Sequence, residues 1–306
     1  MSLMQAHGKL LISAEYMVLY GSRALAVPLK KGQRLQTIRS ANRRVFSWNA
    51  YQDEDPWFSA DFNPSTLSVV ATTDQEKAAY LQTLLKACIE LDPAFQSELF
   101  DWDVETRLDF SPEWGLGSSS TLTALLAEWA DINPLDLHFM VSEGSGYDVA
   151  CAITDSAIIY SLQDNEPHYQ PVLFNPPFAE QLYFVWLGSK QPTADHLAEM
   201  AGQLSPDPEM VDYFSTLTRG MLEAVELSDF RILMEDHEAK LSELIRLPRV
   251  SETHFPGLLG SVKSLGAWGG DFVMIASEQD PAALFNYLDN MGFTCRFRYK
   301  DLVYEG

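Results

Sequence analysis

The sequence predicts an α+β protein of two domains, and three observations carry that expectation. Residues Asp101–Phe110 alternate strictly, with Trp102, Val104, Thr106, Leu108 and Phe110 set against Asp103, Glu105, Arg107 and Asp109. That period of two is the mark of a strand with one buried and one wet face. Residues 73–91 break the pattern: Ala78, Leu81, Leu85 and Cys88 are spaced as one helical face, with Thr73 or Asp74 as the N-cap. After residue 165 the texture changes, as Pro167, Pro171, Pro176 and Pro177 crowd one stretch that reads as an interdomain connection.

The remaining elements follow in order. Strands are expected at 9–13, 34–40 and 45–50, and a helix at 119–131 presents Leu122, Leu125, Leu126 and Trp129. Beyond the prolines come a strand at 182–187, helices at 210–227 and 229–247, a strand at 272–276, a helix at 281–291 and a strand at 294–299. Strand–helix–helix–strand–helix–strand suggests a compact domain built on a largely antiparallel sheet. The expected division is 1–175 and 176–306, with no internal repeats and no low-complexity tract.

Composition narrows the partners. At 306 residues, 46% apolar, with seven Trp and seventeen Phe, the chain has material for a sizeable core. A formal net charge of −22 repels phosphate backbones, which argues against a nucleic-acid partner. A nucleotide site here needs a local concentration of cations or backbone N–H groups. Cys88, Cys151 and Cys295 are scattered and lack metal-ligand spacing, so reduced thiols in a cytoplasmic protein are expected. No apolar run approaches the roughly 20 residues that span a bilayer, and no signal peptide is visible, so no membrane partner is expected. Monomer and homodimer both remain open.

Four glycine- or serine-rich segments carry the chemistry. Gly115, Leu116, Gly117, Ser118, Ser119 and Ser120 lie between the strand ending near Phe110 and the next helix. A glycine turn feeding a helix N-terminus exposes backbone N–H groups at the positive end of the helix dipole, a phosphate cradle to which the serines add hydroxyls for phosphate oxygens or Mg²⁺. It is not a Walker A loop, since no Gly-Lys-Ser/Thr follows at the required gap; an ordinary N-capped turn is the alternative. The other segments are Gly8–Tyr16, Gly144–Asp148 and Lys263–Asp271.

Together these segments resemble the motifs of the GHMP kinases. Gly-Leu-Gly-Ser-Ser is similar to the family's second motif, and Gly8-Lys9 followed by Glu15-Tyr16 is similar to its opening motif. Lys263–Asp271 resembles its third motif, and Gly144–Ala150 the Gly-Ser-Gly-Phe-Asp-Val-Ala segment of phosphomevalonate kinases. Trp186–Thr193 resembles a substrate-side stretch of that subfamily. The resemblance implies an N-terminal domain like domain 2 of ribosomal protein S5 and a ferredoxin-like C-terminal domain. It implies transfer of the γ-phosphoryl of Mg·ATP to a small anionic acid, with phosphomevalonate or mevalonate of isoprenoid biosynthesis the first candidates. Mevalonate diphosphate decarboxylase, a homoserine or sugar kinase, and a non-catalytic nucleotide-binding regulator are the alternatives.

The resemblance also implies roles. Asp148 would be the base that takes or orients the proton of the attacking oxygen. Lys9 would pair with it and stabilise charge on the transferred group, a sufficient apparatus where positioning and charge stabilisation dominate. Gly115–Ser120 would hold ATP phosphates. Glu15, Tyr16, Ser145, Gly146, Lys190, Gly266, Gly269 and Gly270 would face the substrate, with Lys263 as a second cation and the Trp268 ring filling or shaping the pocket. For Asp148 the bland alternative is a turn cap after Gly146. The sequence also departs from the pattern: Ala14 replaces the usual Gly before Glu15, and Ser119 lies closer to Asp148 than is usual. Leu137 occupies the place of the Mg²⁺-binding Glu of mevalonate kinases, so Ser119 with Glu143 or Asp136 is the expected metal set.

Overall fold

The alternating segment forms a strand at Trp102–Leu108, with Val104, Thr106 and Leu108 buried as its period requires. It belongs to a computed structural model of the chain that describes residues 2–188, 204–266, 268 and 271–306. Two compact units make up the chain: Met1–Gly8, Lys31–Pro112 and Leu116–Ile153 form the first, and Lys9–Lys30, Glu113–Gly115 and Thr154–Gly306 the second. The expected boundary at 175 divides the chain in order, whereas these units interleave along it.

In the first unit, β1 (Leu3–Leu11) pairs with β2 (Ala24–Arg39), each strand running on into the second unit. β3 (Phe46–Gln52), β4 (Asp55–Phe62), β5 (Val69–Thr72) and β6 (Trp102–Leu108) complete a sheet of order β5-β4-β3-β6-β2. β3 and β6 are parallel, Trp48 opposite Val104, and the β2–β6, β3–β4 and β4–β5 pairs are antiparallel. The helices are α1 (Gln75–Leu91), α2 (Ser118–Ala130), α3 (Pro134–Val141) and α4 (Tyr147–Ala152). Asp74 caps α1 by accepting from the N–H groups of Glu76 and Lys77, the second of the two caps expected. The apolar stripe of α1 (Leu81, Leu84, Leu85, Cys88) and that of α2 (Leu125, Leu126) share one core with Leu35, Phe46, Trp48 and Phe62 of the sheet. A buried hydrogen bond from Thr121 Oγ1 to Gln33 Oε1, 2.7 Å, fixes the first turn of α2 on β2.

In the second unit, β7 (Ile158–Gln163) and β8 (Glu166–Pro171) form a hairpin, and β7 pairs with Ala24–Ala26 of β2. Its two-residue turn, Asp164-Asn165, has φ of 52° and 64°, the left-handed pair that matches strand twist. The prolines read as a connection thus fall partly inside a strand. Pro167 and Pro171 are tolerated there because β8 ends the strand order, where a missing N–H breaks no ladder. β9 (Leu182–Trp186), β10 (Ser261–Leu265), β11 (Phe272–Ala276) and β12 (Arg296–Arg298) form an antiparallel sheet of order β10-β11-β9-β12. All five residues of β11 are buried, so the strand reads as an unbroken apolar run. α5 (Pro208–Glu223), α6 (Leu227–Ile245) and α7 (Pro281–Asn290) complete the unit. Leu284 and Leu288 of α7 pack on Val185, Val273 and Ile275. Among the described residues no helix is long and apolar enough to cross a membrane.

Candidate active site

The first unit places an uncapped helix N-terminus beside an aromatic cavity. Gly117 enters α2 at φ 99°, a conformation open to glycine, and no side chain caps the helix. The first amides of α2 are therefore available to an anion. Ser119 Oγ lies 2.5 Å from Tyr80 OH on α1. Ser120, expected to hold phosphate, is buried, and its hydroxyl donates to Gly117 O at 3.0 Å. Leu116 is fully buried and serves the turn through packing. Ser118 and Ser119 stand at the edge of a cavity of about 420 Å³ walled by Trp48, Trp57, Phe58 and Tyr80, with Lys77 and Glu76 at its rim. Lys77 is engaged there, paired with Asp74 and lying 5.6 Å over the Trp57 ring. This cavity is the feature that sequence reasoning missed, because its walls come from β3, β4 and α1, each unremarkable alone.

Asp148 sits half-buried in the first turn of α4, where its Oδ1 accepts from the Val149 N–H at 3.0 Å. Gly146 precedes it at φ 80°, packed against Leu135, His138 and Phe139. Ser145 is buried, and Glu143 is exposed. Among the described residues no three His, Cys, Asp or Glu side chains converge as a metal site.

The second unit holds the other segments. Lys9, on β1, donates from Nζ to Gly115 O at 3.0 Å. Gly115 holds φ 68°, a conformation strained for any other residue, and a Cβ there would lie 2.4 Å from the Asp271 carboxylate and force it to move. Asp271 Oδ2 also lies 3.5 Å from the corresponding position on Gly266, whose φ is 74°. Asp271 is thus a candidate functional residue without an assigned role at sequence level, although it closes the third segment. Lys190, Gly269 and Gly270 lie outside the described residues.

Glu15 and Tyr16 are placed in a buried polar cluster. Glu15 Oε1 accepts from Lys263 Nζ at 2.5 Å, with both side chains essentially inaccessible. Lys263, expected as a second substrate cation, is fully buried and also donates to Ser264 O at 2.9 Å. His237 Nε2 accepts the Ala14 N–H at 2.9 Å and lies 3.2 Å from Glu15 Oε2. Burial, reinforced by the Lys263 charge, holds the His237 pKa well below its usual value, so the ring is neutral. Burial raises the Glu15 carboxyl, and the Lys263 ammonium opposes that rise. Burial pushes Glu238 up to about 8 despite the opposing Lys263 charge, so this acid is mostly protonated at neutral pH. Tyr16 is pushed up to about 12 by burial, and its hydroxyl accepts from the Trp268 N–H at 2.8 Å. The Trp268 ring is itself buried, its indole N–H donating to Pro248 O at 3.2 Å.

These units carry the fold of the GHMP kinases. The chain is similar to Streptococcus pneumoniae phosphomevalonate kinase solved with phosphomevalonate and AMPPNP, at 17% identity over 97% of this chain and 100% of that one, with a TM-score of 0.70. It is also similar to Methanococcus jannaschii mevalonate kinase, at 16% identity over 97% of this chain and 96% of that one, with a TM-score of 0.71. Lactococcus lactis galactokinase complexed with galactose matches at 12% identity over 99% of this chain and 93% of that one, TM-score 0.60. No protein-family model and no curated protein matches the sequence.

Proposed function

We propose that this protein is an ATP-dependent small-molecule kinase of the GHMP family. It transfers the γ-phosphoryl of ATP to a hydroxyl or phosphate of a small acid, phosphomevalonate or mevalonate first. One observation carries the reading: an aromatic-walled cavity of about 420 Å³ adjoins an uncapped helix N-terminus in a turn that glycine alone enters easily. A purine ring suits the walls (Trp48, Trp57, Phe58, Tyr80), and phosphates suit the amides of Ser118–Ser120. The solved relative with AMPPNP and phosphomevalonate supports the same pairing of ligands.

In this reading Asp148 accepts or orients the proton of the attacking oxygen, and Lys9 places positive charge toward the phosphoryl group in flight. Mg²⁺, when bound, would supply charge neutralisation on the phosphates. A Mg²⁺ that arrives on a nucleotide needs only one or two protein ligands, for which Ser119 and Glu143 are the proposed donors. Ser145, Gly146, Gly266 and the 186–193 stretch with Lys190 are assigned to the acid, and a cytoplasmic location belongs to the same reading.

The test is ADP release by the purified protein with Mg·ATP against mevalonate, phosphomevalonate, diphosphomevalonate, homoserine and several sugars. Turnover of one acid that is lost in Asp148→Asn while ATP binding survives is the expected result. Intact ATP binding with no turnover across the panel would favour a nucleotide-binding regulator. That second reading has its own observation: Leu137, fully buried, stands where a metal carboxylate is expected.

A further inference from the structure

Two non-glycine residues on either side of Glu15 hold positive-φ backbone: Ala14 at φ 63° and Tyr16 at φ 62°. Each such residue is strained and persists only where its surroundings over-determine it. Here four consecutive residues are pinned from the second unit. Ser13 Oγ bonds Thr218 Oγ1 at 2.7 Å and accepts from the Leu25 N–H at 3.1 Å. Ala14 donates its N–H to His237, Glu15 accepts from Lys263, and Tyr16 accepts from the Trp268 N–H, at 2.9, 2.5 and 2.8 Å. The pins come from α5, α6, β10 and the third glycine segment.

Stability does not explain this construction. Replacing a buried ion pair with apolar side chains of like volume is often neutral or stabilising, so a buried Lys–Glu pair is weak support for a fold. Three polar atoms of the cluster, Glu15 Oε2, His237 Nδ1 and Glu238 Oε1, are buried without a hydrogen-bond partner among the described residues. Each is a further cost. What the arrangement does secure is geometry. The turn directly follows β1, whose Lys9 ends on Gly115 O, and it grips Trp268, three residues before the Asp271 carboxylate that lies against Gly115. Within one unit, contacts therefore join the turn to Trp268, and Lys9 and Asp271 to Gly115.

We propose that His237 and Lys263 are positioning residues: they lock the Ala14–Tyr16 turn, and through it set both Lys9 and Trp268 for phosphoryl transfer. The functional half of this inference rests on the kinase reading above; the geometric half does not. Neither residue touches substrate. His237 acts by accepting the Ala14 N–H as a neutral ring, and Lys263 by anchoring Glu15.

The experiment compares His237→Leu, His237→Gln and Lys263→Met with the native protein, each first shown folded by its denaturation curve. Protein labelled with 5-fluorotryptophan is followed by ¹⁹F NMR, the Trp268 resonance being assigned with Trp268→Phe. Steady-state kinetics use whichever acid the panel identifies, and Mg·ATP affinity is measured by calorimetry. In His237→Leu and Lys263→Met the Trp268 resonance moves and kcat falls about 100-fold, the scale of a misplaced reacting group, with Mg·ATP affinity within about twofold. His237→Gln keeps an acceptor for the Ala14 N–H and restores both resonance and kcat. Folded variants with lowered Tm but native resonance and native kcat would overturn the proposal, leaving a merely structural cluster. If the native protein turns over no acid, the kinase reading fails separately, and an unmoved Trp268 resonance in His237→Leu still overturns the lock.

Discussion

Replacing Glu238 with Gln should change how stability depends on pH, and the structure sets the size of the change. Glu238 is buried on α6, with Lys263 and Ser264 facing it from β10, Glu15 from the turn, and His237 beside it on its own helix. Burial is the largest cause of its displacement; the Glu15 charge adds to it, while Lys263 and the Ser264 hydrogen bonds oppose it. The folded chain keeps this proton up to a pH of about 8, whereas the unfolded chain releases it near 4.5. Between those values the unfolded state binds fewer protons, so stability falls as pH rises, and above about 8 both states are ionised and the slope vanishes. At about 1.4 kcal/mol per unit, the whole window is worth up to about 5 kcal/mol. The glutamine of Glu238→Gln does not titrate, and its amide oxygen can still accept from Ser264 Oγ, so the substitution adds only a pH-independent offset. Urea denaturation of both proteins from pH 5 to 9 is the assay. The variant should gain on the native protein by a few kcal/mol between pH 5 and 8, then run parallel to it. Parallel curves across the whole range would refute the assignment of a buried neutral acid.

Two further substitutions probe the candidate site. Gly115→Ala puts a methyl against the Asp271 carboxylate and strains a backbone at φ 68°; a loss of about 1–3 kcal/mol by chemical denaturation is expected, with a fall in kcat because Lys9 ends on the same residue. Trp57→Ala removes one wall of the cavity and should weaken Mg·ATP binding about tenfold or more by calorimetry with little change in Tm, since Trp57 is only partly buried.

Periodicity made much of the fold legible and the site only in part. The strand at 102–108, the helix at 75–91 with its Asp74 cap, and the unbroken run at 272–276 each carry a local signal that packing does not override. β4 was not among the expected strands although Phe58, Ala60 and Phe62 alternate with Ser59 and Asp61: its first residues, Asp55-Pro56, are polar and exposed, and the turn at Asp53, φ 51°, brings it back against β3. β8 was masked by its own prolines, admissible only because the strand is the last in its order. In the third glycine segment the backbone from Lys263 to Leu265 is a fully buried strand, so a lysine that looks available in sequence is committed to Glu15. Whether a Lys meets water or a carboxylate 248 positions away is a tertiary fact, absent from any local pattern. The same holds for His237 and Glu238, which read as ordinary members of a helix.

The charge of the chain leads to a last expectation about the nucleotide. A protein of net charge −22 repels Mg·ATP at long range, and the lysine at the cavity rim is already paired with Asp74. Among the described residues lining the cavity, attraction then comes from backbone amides at the start of α2 and from apolar contact with the walls, both short-ranged, with Lys9 assigned to the phosphoryl group in transfer. Salt screens the long-range repulsion over about 10 Å at 0.1 M but leaves contacts at the helix terminus largely intact. Affinity for Mg·ATP should therefore hold steady or improve between about 0.05 and 0.3 M salt at constant free Mg²⁺, opposite to the behaviour of a site built on surface lysines. Calorimetry across that range decides it. A steep loss of affinity with salt would mean that cations, rather than amides and aromatic walls, hold the phosphates.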